Sequence, residues 1–190
     1  MLRPSRLPIL LTALTPLAAS AHPLGAHTAT LFEGLLHPVT GLDHTLAMIA
    51  VGLAASRIRE RGWIAPASFM ASMLAGLVVG ALGLVVPFTE WAIVGSVLLF
   101  GLIVGRRGEL PLTPVALTFG IFALFHGLAH GHEASGIGFD YASGVLLATG
   151  ALHALGFGLA RLVTRSCGKD RVRWAGVPVT IVGLALLISG

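Results

Sequence analysis

The sequence predicts an all-α fold, a polytopic bundle of membrane-spanning helices, and three observations predict it. The chain of 190 residues is 55% hydrophobic and only 11% charged, with a mean hydropathy of +0.90, whereas a soluble domain carries about 25% charged residues. Its apolar residues fall in several runs of about 20, the length a helix needs to cross a hydrocarbon core. Every lysine and arginine lies either in the first six residues or between those runs: Arg3 and Arg6, then Arg57, Arg59 and Arg61, then Arg106 and Arg107, then Arg161, Arg165, Lys169, Arg171 and Arg173. Basic loops stay on the cytoplasmic side of a membrane. All eight histidines lie elsewhere.

The elements follow in order. Residues 1–21 read as a cleaved signal peptide, with Arg3 and Arg6 as its basic start, Leu7 to Leu17 as a short apolar stretch and Ala19-Ser20-Ala21 as the cleavage site. Cleavage there leaves His22 as the mature N-terminus, outside the cytoplasm. Six transmembrane helices are predicted after it, over 35–55, 63–86, 89–105, 112–131, 140–161 and 174–190. Pro38 suits the first turn of the first helix, where its missing N–H is not needed. Glu90 opens the third, which ends at Arg106–Arg107 and is at the short limit for a span. The fifth ends in the Arg161–Arg173 loop. Short connections make neighbours antiparallel and residues 22–190 one domain. The three inside loops hold ten basic residues and the outside loops none, which places the basic loops in the cytoplasm and both mature termini on the far side of the membrane.

Several classes are excluded. A pI near 10.6 does not indicate nucleic acid, because the basic residues flank membrane spans. Cys167 is the only cysteine, so there is no disulfide framework and no thiolate metal site. No nucleotide-binding glycine loop is present, and no soluble region that could hold ATP. Glycine pairs at small-xxx-small spacing, Gly76/Gly80, Gly101/Gly105 and Gly127/Gly131, favour close helix packing. Phe69, Met48, Met70 and Met73 read most simply as packing residues.

Two motifs carry the chemistry. HPVTGLDH runs from His37 to His44 and puts Asp43 beside an imidazole within the first helix. An aspartate inside a span costs about 2.5–3.5 kcal/mol on insertion scales, so it needs a partner or a task. His44 is expected two turns deeper than His37 on the same face. FHGLAHGHE runs from Phe125 to Glu133. On one helix His126, His130 and Glu133 point within about 60° of one another, while His132 points away. Two imidazoles with oxygen ligands suit borderline divalent ions such as Ni²⁺, Co²⁺ or Zn²⁺. His153 lies alone in the middle of the fifth helix, and Glu90 on the same outer side as both clusters. His22 could chelate through its free amino group. Glu33 and Asp140 sit at the rim, and no lysine or arginine lies among these residues. Such a surface raises the local cation concentration.

The chain resembles the HupE/UreJ family of nickel/cobalt permeases, through HPVTGLDHTLAMIAVGL (His37 to Leu53) and FHGLAHGHE (Phe125 to Glu133) together with six helices after a signal. The resemblance covers essentially the whole mature chain. It implies secondary uptake of Ni²⁺, or of Co²⁺, with an indirect link to hydrogenase or urease maturation proteins, no tightly bound cofactor and no enzymatic activity. It implies His37, Asp43, His44, His126, His130 and Glu133 as the metal-binding residues, with Glu90 and Phe69 matched through no long motif. Two other readings stand beside it: an intramembrane metalloenzyme, and a non-transporting metal-binding assembly or sensor protein.

Overall fold

The computed structural model describes residues 30–133 and 138–189. The proposed signal segment, the A-x-A site and His22 lie outside the described residues. Within them the chain is all-helical: α1 (Leu31–Thr40), α2 (Leu42–Ala55), α3 (Ile64–Ala81), α4 (Thr89–Gly105), α5 (Leu112–Glu133), α6 (Phe139–Cys167), a 3₁₀ turn (Lys169–Ala175) and α7 (Gly176–Ser189). Four of these units are long and apolar enough to cross a membrane: α3, α5, α6, and the 3₁₀ turn with α7. The α4 helix, at 17 residues, is shorter. Apolar side chains cover the outside as well as the core, as at Leu117, Leu147 and Ile181, the pattern of helices surrounded by hydrocarbon.

The first expected helix is not continuous. It starts earlier, at Leu31, where Thr30 and Glu33 form a reciprocal capping box, and it breaks at Gly41 so that α1 and α2 meet at an 85° bend. Pro38 therefore lies in the last turn of a helix rather than the first. Proline removes a backbone donor and crowds the preceding turn, and Gly41 takes an extended conformation three residues later. Nearby hydroxyls satisfy the carbonyls freed by the break: Thr45 donates to the Pro38 carbonyl at 2.9 Å and Thr40 to that of His37 at 3.0 Å. Broken helices of this kind are tolerated at membrane depth only where such partners exist.

Two further boundaries differ from expectation. The α3 helix stops at Ala81 instead of continuing to 86, because Gly83, with φ of 89°, closes a C-terminal motif in which Leu84 N–H reaches the Val79 carbonyl and Gly83 N–H that of Gly80. The expected basic loop after residue 161 is mostly ordered. The α6 helix runs on to Cys167, carrying Arg161 and Arg165 in its last two turns, where cations suit the helix dipole.

Close backbone approach holds the bundle together. The α3 and α5 helices lie against each other along their length, and a Cβ added at Gly127 would strike the Met73 carbonyl. The α1–α2 pair packs on α6, while α4 contacts α7, α2 and α5. The three basic segments meet at one end. There the buried Arg57 guanidinium donates to the carbonyls of Val104, Arg106 and Gly108, the last two at 2.7 and 2.6 Å, and Lys169 pairs with Glu109 at 3.3 Å. Arg57 is thus more than an orientation signal; it caps the end of α4. Arg57→Leu would leave three carbonyls short of a charged donor. Each such bond contributes roughly 1.5–3 kcal/mol, so the variant is expected to lower the thermal denaturation midpoint in detergent, measured by loss of helical circular dichroism.

Candidate metal site

The end opposite the basic loops gathers the histidines. The break at Gly41 turns α1 across the mouth of the bundle, so His37 and His44 are not two turns apart along one axis. Their ring centroids lie 6.2 Å apart, where seven residues of straight helix would separate them by about 10 Å. The α5 helix supplies the facing wall. His130 lies 4.8 Å from His37 and 4.9 Å from His44, and His126 lies 4.8 Å from His44, all centroid to centroid. His37, His44, His126 and His130 thus form a continuous series. His37 Nε2 meets Glu133 Oε2 at 2.6 Å, joining α1 to the end of α5. Glu133 is half exposed, whereas His126 and His130 are fully buried.

Ligand atoms of His37, His130 and Glu133 all lie within 4.8 Å of one another. Donors on one ion at bond lengths near 2.1 Å stand at most roughly 4 Å apart, so small side-chain rotations close this set on a cation. Buried polar atoms normally have partners. Here both ring nitrogens of His130 and of His153, His126 Nδ1 and His44 Nε2 have none among protein groups. Imidazole nitrogens whose lone pairs are to be donated to a metal ion stand in this condition, unengaged by protein groups.

Neighbours set which nitrogens are free. Asp43 Oδ1 accepts both the His44 backbone N–H, at 2.8 Å, and the ring at Nδ1, at 3.0 Å. An ionised carboxylate only accepts, so the His44 proton sits on Nδ1 and the Nε2 lone pair is open. Asp43 is therefore placed to orient His44 rather than to face the other imidazoles directly. Ser96 does the corresponding work for His126. Its single hydroxyl proton goes to the Ile93 carbonyl at 2.6 Å, so at 3.0 Å its oxygen accepts from His126 Nε2–H, leaving Nδ1 as the open position. Sequence reading missed Ser96, since one serine in an apolar helix carries no motif. Loss of a group that orients a ligand typically costs 10–100-fold in metal affinity. Ser96→Ala is thus expected to weaken binding of a divalent metal to the purified protein by roughly 10-fold or more, read by equilibrium titration with Ni²⁺.

The remaining candidates divide. His132 is exposed and its Nε2 lies 2.7 Å from the Leu84 carbonyl, away from the series. Glu90, exposed in the first turn of α4, lines an outer hollow of about 440 Å³ with His132 and Glu133. His153 lies deeper. The fully buried Phe69 ring stands between it and the series, 5.6 Å from His126 and 5.1 Å from His153. Met48 and Met73 pack nearby, their sulfurs 3.4 and 3.7 Å from the Thr149 hydroxyl, which donates toward the nearer one.

Fold and site together define a helical chain of membrane-span character with a buried imidazole series leading in from a His/Glu cluster. The profile of HupE / UreJ protein matches residues 10–186. Over 177 residues the chain is 41% identical to Protein HupE of Rhizobium leguminosarum bv. viciae, covering 92% of each. No solved structure matches the chain. The chain belongs to the HupE/UreJ family, whose members are transporter-type proteins associated with nickel and cobalt uptake.

Proposed function

We propose that this protein is a secondary permease for a divalent transition-metal ion, Ni²⁺ or Co²⁺, across the bacterial cytoplasmic membrane. The single observation that carries the reading is the series of imidazoles at centroid spacings of 4.8–4.9 Å with open ring nitrogens. An ion enters at His37, His130 and Glu133, replacing the 2.6 Å hydrogen bond between His37 and Glu133 with bonds to the metal. It steps to His44 and His126, whose outward tautomers are set by Asp43 and Ser96, and then past Phe69 to His153. Each site uses few ligands, which keeps binding weak enough for release. Glu90 and His132 flank the approach.

Six spans are proposed, the first of them bent at Gly41, with the basic end cytoplasmic and both mature termini periplasmic after removal of residues 1–21. The aromatic residues fit that frame. Exposed Trp63 and Trp174 mark the basic end, and Trp91 the histidine end, as expected of side chains at two membrane–water interfaces. An inside-negative potential contributes about 2.3 kcal/mol per charge per 100 mV, so for a divalent ion roughly a thousandfold accumulation needs no ATP and no bound cofactor. The imported ion would serve maturation of hydrogenase or urease.

The test is uptake of radioactive nickel into vesicles containing only this protein, with a potential imposed and with Co²⁺ and Zn²⁺ as competitors. Potential-dependent accumulation that Co²⁺ suppresses is expected. Stoichiometric nickel binding without accumulation inside would instead identify a metal-binding assembly or sensor protein.

A further inference from the structure

We infer that the end of the bundle bearing the basic loops holds an anionic phospholipid, seated between α2, α3 and α6 with its phosphate among arginines. A cavity of about 930 Å³ opens there, at the upper end of the roughly 300–1,000 Å³ range of ligand sites. Its lining has two parts. Toward the middle of the bundle it is apolar, with Pro66, Met70, Ala154 and Phe157, and His153 reaches it from the core. Around its other end stand Arg59, Arg61, Arg161, Arg165 and Lys169.

Those cations are largely uncompensated. Lys169 pairs with Glu109 at 3.3 Å, and among the described residues none of the four arginines has a carboxylate within ion-pair distance. Arg57, a few residues away, behaves otherwise, spending its donors on backbone carbonyls. The hydroxyls in the lining offer no competing recognition, because Ser56 donates to the Leu53 carbonyl and Thr164 to that of Ala160. Free donors in the cavity are therefore guanidinium groups, whose planar forks suit phosphate oxygens. Four arginines without an ion-pair partner beside Lys169 disfavour a metal cation as the resident occupant. An apolar wall continuous with such a cluster matches an acyl chain joined to an anionic headgroup, and basic pockets between membrane helices bind lipids of this kind. Free inorganic phosphate shares the headgroup chemistry but would leave the apolar wall unused.

Trp63 lines the same cavity and is its reporter. In full-length protein carrying Trp91→Phe and Trp174→Phe, Trp63 is the only remaining tryptophan. The protein is reconstituted in phosphatidylcholine vesicles in which about a tenth of the lipid carries brominated chains, either on phosphatidylglycerol or on phosphatidylcholine. Brominated phosphatidylglycerol is expected to quench Trp63 at least about fivefold more effectively than brominated phosphatidylcholine, with no change on adding millimolar inorganic phosphate. Arg161→Gln with Arg165→Gln removes the preference, and so does Arg59→Gln with Arg61→Gln on the opposite wall. Equal quenching by the two lipids overturns the inference. Loss of the preference on adding phosphate overturns the lipid assignment in favour of a free anion. The readout does not depend on metal transport, so it stands or falls separately from the permease reading.

Discussion

His130→Ala is expected to reduce the initial rate of Ni²⁺ uptake into vesicles by about 100-fold or more, since even groups that only orient a ligand cost 10–100-fold. His130 is the hub of the series. It is fully buried, it touches both His37 and His44, and neither of its nitrogens is engaged by a protein group. Removing it separates the entry pair from the inner imidazoles. His130→Gln, which preserves most of the side-chain volume, is expected to lose uptake as well while keeping the bundle folded. A rate within about twofold of the unaltered protein in either variant would remove His130 from the pathway; a thermal midpoint unchanged in the glutamine variant ensures that the loss is chemical.

Gly127→Val is expected to have the second largest effect, and on assembly first. The added side chain meets the backbone carbonyl of Met73 rather than a movable side chain, so α5 must shift away from α3. Overpacking commonly costs about 1–3 kcal/mol, occasionally more, when the neighbour cannot yield. The shift also carries His126 and His130 away from His37 and His44, because one helix holds all three residues. Both a lower denaturation midpoint in detergent and loss of uptake are expected. Gly158→Val is the control: nothing lies within 4 Å of its added Cβ, and the variant should match the parent in both measurements.

Helix α4 matches its expected limits of 89–105. The grouping of basic segments at one end and of both histidine motifs at the other was also legible, because charge position relative to apolar runs reports topology directly. The break in the first helix was not. The polar residues of HPVTGLDH read as ligands rather than as a helix boundary, and Pro38 fits a first turn as well as a last one. What decides between them is the Thr45 hydroxyl on the Pro38 carbonyl, a contact that no periodicity reveals. Asp43 was noticed for the cost of its charge, yet its orientation toward His44 depends on α2 beginning at Leu42. Ser96 reaches His126 from a different helix, 30 residues away in sequence. The Gly76/Gly80 and Gly127/Gly131 spacings did mark a real seam, since a Cβ on either pair would strike the facing helix of α3 and α5. Gly105 of the third pair has open space instead.

In the proposed route, imidazoles of α1 and α5, and then of α2 and α5, bind the transported ion in turn. X-ray absorption fine structure of Ni²⁺ bound to the purified protein tests it most directly. Outer-shell scattering from imidazole rings is predicted, and it should weaken sharply when His37 and His130 are both replaced by alanine. A coordination shell of oxygen atoms alone, or a spectrum unchanged in that double variant, would contradict the account.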